Sequence, residues 1–405
     1  MQRTVFIIAG IAIVCVLVGV WVYFLFFATP AEDGGVFANF NLGNTTDPSV
    51  IIPAEPEPVV EPVVDVASPE RLRQLTTQPV AGFAEVQLTA SSTPEIRYIE
   101  AGTGHIYAID LTTGVEARVS ATTIPLTRAG ALTPNGQFAL LQSGSGLGAE
   151  FVIGALSPDS DQLRNFAIPQ PITSFVATAN NTFLYAVPEG NQLVAREYDP
   201  STNTVQELFR VPFRDATVQW HHTAAGPHYV YPHTTSRLEG YVYSYLDGVA
   251  TREPTSGYGL SAVGSSDGYI FSRVQNGEYN TFATNKTTGE TNSAPLTIIP
   301  EKCAFTRTDA TVAVCGIALT DYSHLMPDPW YQGQMRLDDD LWVYSVDEQS
   351  ARLLVSPENA TGRQLDIVHP QFGINDANLY FQNKVDQTLW VYEYNPTPTF
   401  TSVTQ

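Results

Sequence analysis

The sequence predicts an all-β domain carried behind one membrane helix and an extended stalk. Three observations predict it. Residues 5–27 are an apolar run without a charge. Residues 28–68 shift to Pro, Glu and Val. From about residue 70 the helical period disappears, and short β-branched and aromatic runs alternate with Gly, Asn, Asp and Pro. With 43% hydrophobic residues in 405, the chain can bury a large core, which excludes disorder of the whole. Its 41 acidic against 20 basic residues give a net charge of -21. No basic surface is left to displace counterions from phosphates, so a nucleic-acid partner is excluded. Three cysteines are too few for a disulfide scaffold.

The run from Val5 to Phe27 makes about 34 Å of helix, enough to cross ~30 Å of hydrocarbon. Trp21 and Tyr23 suit the interface. Arg3 precedes the run, while Glu32 and Asp33 follow it. The positive-inside tendency therefore puts the N-terminus in the cytoplasm and the remainder outside, as a single-pass cell-membrane protein. A cleaved signal peptide is the competing reading, but its apolar region usually spans only about 7–15 residues. In the stalk, proline fixes φ and glutamates repel, so the chain is extended. At ~3.1 Å per residue it reaches up to ~120 Å. These shifts divide the chain into an anchor (1–28), a linker (29–68) and a β domain (69–405).

The β domain repeats. Strands run into proline at Pro79, Pro125, Pro169, Pro212, Pro254, Pro300 and Pro357, roughly every 44 residues. Apolar strands recur as HIYAIDL, QLVAREYD, GYVYSYL, LWVYSVD and LWVYEYN. Turns such as Thr133-Pro134-Asn135-Gly136 supply residues that tolerate positive φ between strands. Four short strands per unit of this length indicate β-propeller blades, each too thin to bury its own two faces. Seven innermost strands are placed, starting near residues 84, 129, 173, 217, 260, 303 and 367, so the prediction is a seven-bladed β-propeller. Either 71–77 or 400–404 could complete the last blade. The N-terminal segment is favoured, because joining the chain ends hides an edge.

The units resemble the repeats of TolB-like and WD40-like propeller proteins, most clearly in ALTPNGQFALL at 131–141. KCAFTRTDATVAVC, PDPWYQG and DDDLWVYSVD are similar to segments of a recurring group of membrane-anchored bacterial propeller proteins with no assigned activity. The resemblance spans roughly residues 70–395 and implies fold alone. The chain has no WD dipeptide, so it departs from the eukaryotic WD40 pattern. TolB-like proteins are soluble and periplasmic, so a Tol-system role does not carry over.

The sixth unit exceeds the period by about 20 residues, and the excess maps to 319–338. That loop is expected on the face where ligands of such rings bind. Tyr322, His324, Asp328, Trp330, Tyr331 and Gln332 are its candidate binding residues. The competing reading has Trp330 folding back as a lid that fills the channel. Cys303 and Cys315 stand at equal offsets from a turn and are a candidate cross-strand disulfide. Asp338, Asp339 and Asp340 read as a solvated cluster, because consecutive strand residues point to opposite faces. His221, His222, His228 and His233 flank a hairpin too widely for one metal ion. Tyr229, Tyr231, Tyr241, Tyr243 and Tyr245 are expected to pack between blades rather than to form a sugar platform. Gly264 to Gly268 matches G-x-S-x-G but lies in a hairpin, not the strand-to-helix turn that a nucleophile needs. No catalytic constellation, metal site or cofactor is expected. The functional expectation is a membrane-anchored, extracytoplasmic module that binds or scaffolds a protein or glycan partner. The alternatives are a carbohydrate-active enzyme or a component of an envelope transport or secretion assembly.

Overall fold

The computed structural model describes residues 71–157, 160–168, 171–320 and 322–394. The predicted membrane helix, the stalk and the segment 400–404 lie outside the described residues. Among the described residues no helix is long and apolar enough to cross a membrane. Nearly all regular structure is strand.

Antiparallel sheets follow one another along the chain. The first holds β2 to β5 (Val80–Val86, Glu95–Glu100, Ile106–Asp110, Glu116–Ser120). The second holds β6 to β9 (Thr127–Leu132, Phe138–Ser143, Glu150–Ser157, Ser160–Ile168), and the third β10 to β13 (Ser174–Ala177, Phe183–Glu189, Gln192–Asp199, Thr204–Val211). Next comes a seven-stranded sheet, β14 to β20 (Ala216–Gln219, His228–Pro232, Glu239–Leu246, Val249–Gly264, Gly268–Gln275, Glu278–Asn285, Thr291–Ser293). Then follow β21 to β24 (Cys303–Phe305, Val312–Ile317, Asp340–Ser345, Ser350–Val355). The last sheet joins β25 to β27 (Ile367–Phe372, Asn378–Asn383, Leu389–Glu393) to β1 (Leu72–Gln74).

The first strands of these sheets, with the second half of β17, fall where the repeat placed the innermost strands. β17 explains the seven-stranded sheet. Its first half pairs with β16 as an outer strand, and its second half pairs with β18 as an inner one. The expected break near Pro254 is therefore a continuous strand. Of the two candidates for closing the last sheet, the favoured segment at 71–77 supplies the strand. Leu72, Arg73 and Gln74 pair with Tyr392, Val391 and Trp390, so β1 occupies the open edge of β27.

Each sheet buries its faces against its neighbours. Phe151 and Ile153 pack on Phe183 and Tyr185. Ala186, Phe209 and Val211 pack on Val230 and Tyr245. Val343 packs on Ile367 and Phe381, while Tyr380 and Val391 pack on Phe83 and Ile96. Each fully buried side chain of this size contributes about 1.5–3 kcal/mol by leaving water. The inner strands β2, β6, β10, β14 and β25 line one cavity of about 830 Å³. At Gly82 a Cβ would sit 2.0 Å from the carbonyl oxygen of Gly130, so two inner strands touch there through backbone alone. Sheets in sequence, packed face to face, with their first strands around a shared opening, are a β-propeller.

In such a meander, the turns after first and third strands lie on one face. The turns after second strands and the links between sheets lie on the other. The 319–338 segment joins β22 to β23, so it sits on the second face, called here the insertion face.

Candidate functional site

The insertion is folded, not loose. It carries a short helix α1, Asp328–Tyr331. Met326, Trp330 and Leu337 are buried with Tyr279, Ile299 and Ala318. Asp328 clamps the neighbouring loop. Its carboxylate accepts from Ser236 N at 2.9 Å, Ser236 Oγ at 2.7 Å and Thr235 Oγ1 at 3.2 Å. Gly259 packs beneath; a Cβ there would lie 2.5 Å from the Met326 carbonyl oxygen, and φ is +61°. Tyr322 is half-buried, and its hydroxyl donates to Ala318 O at 3.3 Å. His324 and Gln332 are exposed. Tyr331 is 36% exposed, while its hydroxyl donates to Glu301.

Trp330 is an internal anchor. Its Nε1 donates to Asp366 Oδ1 at 3.0 Å. Lys302 Nζ lies 5.1 Å and Lys384 Nζ 3.9 Å from its ring centroid. It does not fill the central cavity, whose walls are built from other residues. Instead of the lid of the competing reading, Trp330 is a wedge that meets Lys302, Asp366 and Lys384.

Below Trp330 lies a charge centre that sequence reading missed. Lys302 is 1% exposed and pairs with both Asp339 and Asp366, at 2.6 Å for the latter. Asp339 Oδ2 also accepts from Ile367 N at 2.7 Å, and Asp366 Oδ2 from Leu337 N at 3.2 Å. Burial pushes the Asp339 carboxyl upward, against the pull of Lys302. This corrects the solvated reading of the aspartate run. Asp338 is exposed, but Asp339, just before β23, is fully buried, with its N–H on Leu365 O and its carboxylate on Lys302.

The cavity walls carry Glu85, Arg128, Glu301, Arg307, His369 and Lys384 among their polar groups. Glu85 accepts from Tyr380 Oη at 2.5 Å and Ile374 N at 2.9 Å. Glu301 accepts from the hydroxyls of Tyr231, at 2.8 Å, and Tyr331. Burial raises the pKa of Glu301, and its Oε2 has no partner among the described residues. Arg307 donates to Phe372 O at 3.4 Å, and burial lowers its pKa. His369 has φ +52° beside a register shift in β25, an unusual conformation for a residue with a side chain. The ring lies exposed within the cavity, where the surrounding protein lowers its pKa.

Cys303 and Cys315 pair directly across β21 and β22 and are joined by a disulfide, with Cα atoms 4.0 Å apart. His221 and His228 are spent on the fold, while His222 lines the cavity. His228 Nδ1 accepts from His221 N at 3.1 Å, and its Nε2 donates to Ala224 O at 3.0 Å. Burial pushes His221 down to about 3 and lowers His222 and His228. His233 stands apart, facing the Tyr331 ring at 6.2 Å. Tyr229, Tyr231 and Tyr245 are buried, the last stacked on Phe209 at 4.0 Å. Tyr241 and Tyr243 lie against Phe213. Ser265 is buried in the β17–β18 hairpin, bonded to Gly268.

No family model matches the chain, and no curated protein matches it. Solved structures do. An oligogalacturonate lyase in complex with manganese is 11% identical over 80% of this chain and 93% of that one, with a TM-score of 0.48. The β-propeller domain of Cps50 (Swd1) from Myceliophteria thermophila is 9% identical over 80% and 100%, also at 0.48. That of the Trilobed protease from Pyrococcus furiosus is 10% identical over 78% and 95%, at 0.47. At this similarity the propeller assignment rests on the chain's own sheet pairing.

Proposed function

We propose that this chain is a membrane-anchored, extracytoplasmic propeller of seven blades that presents its insertion face to a protein partner. The blade count follows from taking the seven-stranded sheet as two blades that share β17. The carrying observation is the platform around the insertion. Its backbone is fixed by Asp328 and Trp330, while Leu238, Tyr258, Leu319, Leu325 and Tyr331 remain exposed around it. A rigid apolar patch with an aromatic near its centre is what protein interfaces use. Placement outside the cytoplasm is supported by the charge flanks of residues 5–27 and by the disulfide, which persists in oxidising compartments. Catalysis on glycans is less favoured. The two cavity carboxylates, Glu85 and Glu301, each accept a tyrosine hydroxyl, and of the pair only Glu301 keeps an oxygen, Oε2, without a partner among the described residues. A role within an envelope transport or secretion assembly is one form of partner binding, and cross-linking separates it from a free receptor.

The test is in-cell cross-linking from a photoreactive residue at position 325, coupled with protease protection of the intact cell envelope. A discrete adduct that disappears in Tyr331→Ser, with an unchanged melting temperature, supports the reading. Protection of the β domain on the cytoplasmic side would refute the placement, and no adduct would refute the docking face.

A further inference from the structure

We infer that the half of the central cavity nearest the insertion face binds a small oxyanion, the carboxylate or phosphate group of a soluble ligand, through Arg128, His369 and Lys384. The cavity's volume of about 830 Å³ falls within the range of small-molecule sites. Charge inside it runs against the rest of the molecule. The chain carries -21 overall, yet three of its 20 basic side chains, Arg128, Arg307 and Lys384, line this one opening. None of the three pairs with a carboxylate among the described residues. Arg128 has no protein hydrogen-bond partner there. Lys384 donates to the Trp330 carbonyl oxygen, which uses one of its three protons. The acids facing the same space are Glu85 and Glu301, and both accept tyrosine hydroxyls. The cavity therefore holds unused donors, most of all on Arg128, beside one carboxylate oxygen, Glu301 Oε2, without a partner among the described residues.

The three donors belong to one half. Arg128 is the second residue of β6, and first strands start on the insertion face. His369 is the third residue of β25. Lys384 follows β26, on the same face. Arg307 lies at the opposite end, where Asp376 holds its backbone N at 2.8 Å and, with Glu85, faces its guanidinium. The insertion-face half holds one cavity carboxylate, Glu301, with Oε2 unpartnered among the described residues, and Asp366 and Asp339 act on Lys384 from the charge centre behind it; Arg128 is the cation there with no acid facing it. His369 adds a second sign of a built site. Its left-handed backbone costs about 1 kcal/mol or more and precedes Pro370, and it brings an imidazole to the cavity wall. Guanidinium, ammonium and imidazole together match an oxyanion, with Arg128 able to bind two oxygens at once.

The experiment uses the full chain purified in detergent, titrated calorimetrically with inorganic phosphate and with citrate. Saturable heat with at least one probe, weakened about tenfold or more by Arg128→Gln and by Lys384→Gln, is the expected result. Arg128→Gln should leave the melting temperature unchanged, and Arg237→Gln on the outer surface should leave binding unchanged. A response to phosphate alone assigns a phosphoryl ligand, and to citrate alone a carboxylate. No saturable heat with either up to about 10 mM, or affinity unaffected by both cavity substitutions, overturns the site. Partner docking at the insertion is a separate matter, and its failure leaves this result standing.

Discussion

Lys302 and Arg128 are both cations inside the ring of sheets, and their surroundings differ completely. Lys302 is sealed from water between two aspartates under an indole. Arg128 faces an open cavity with no protein partner among the described residues. A buried charge survives only when its partners are already in place, so the Lys302 centre is structural. A solvated charge waiting in a cavity adds little to stability, so it is free to serve a ligand. Pairing with buried carboxylates thus separates the two cations here.

The contrast can be broken or sharpened by substitution. Lys302→Met leaves two buried carboxylates facing each other and should cost about 3–5 kcal/mol, seen in urea unfolding. A loss below about 1 kcal/mol would mean the centre is wetter than described. Trp330→Ala removes the wedge above it and should cost about 3 kcal/mol or more. If it costs nothing while partner adducts vanish, Trp330 belongs to the interface instead. Replacing both Cys303 and Cys315 with Ser opens a 12-residue separation and should lower stability by about 3 kcal/mol, in non-reducing buffer only. Comparing melts with and without reductant reads this directly.

Acid should act through the histidines. His221, His222 and His228 have folded-state pKa values below the unfolded value of about 6.5. The unfolded chain therefore binds more protons in that window. Their contribution is complete above pH 6.5 and is lost as pH falls toward the folded values. Asp339, raised by burial, works the other way, since its ionisation favours the unfolded chain. His369 is lowered too, and Glu301 and Asp338 are raised like Asp339, so four imidazoles stand against three carboxyls; the melting temperature should fall from pH 6.5 to about 4.5, and His221→Gln should flatten that fall. A flat profile in the parent chain would show these rings protonate without cost. The smallest effect belongs to Arg128→Gln, within about 0.5 kcal/mol of the parent in stability.

The repeat made the fold legible. Inner strands and hairpin turns follow from proline spacing and alternation, whereas closure by the N-terminal strand is favoured over 400–404 only because it hides an edge. The long β17 was hidden because Pro254 looks like a strand end, yet it pairs with neither neighbouring strand, within the shift between Tyr241 and Tyr243. The sites were far less legible. Lys302, Asp339 and Asp366 are scattered single charges in the sequence, and only the contact between the last two sheets unites them. Alternation from Leu341 could have placed Asp339 inward. Nothing local marks Glu301 or Arg128, whose meaning comes from facing a common opening.

The short pairing of β1 with β27 also has a mechanical side. Residues before Arg71 reach the domain through the strand that completes its last sheet. Tension along that leader, whatever holds its far end, is delivered first to the three paired residues Leu72, Arg73 and Gln74. The seam would peel open there while the other sheets stayed intact, making the point of attachment a weak link under load.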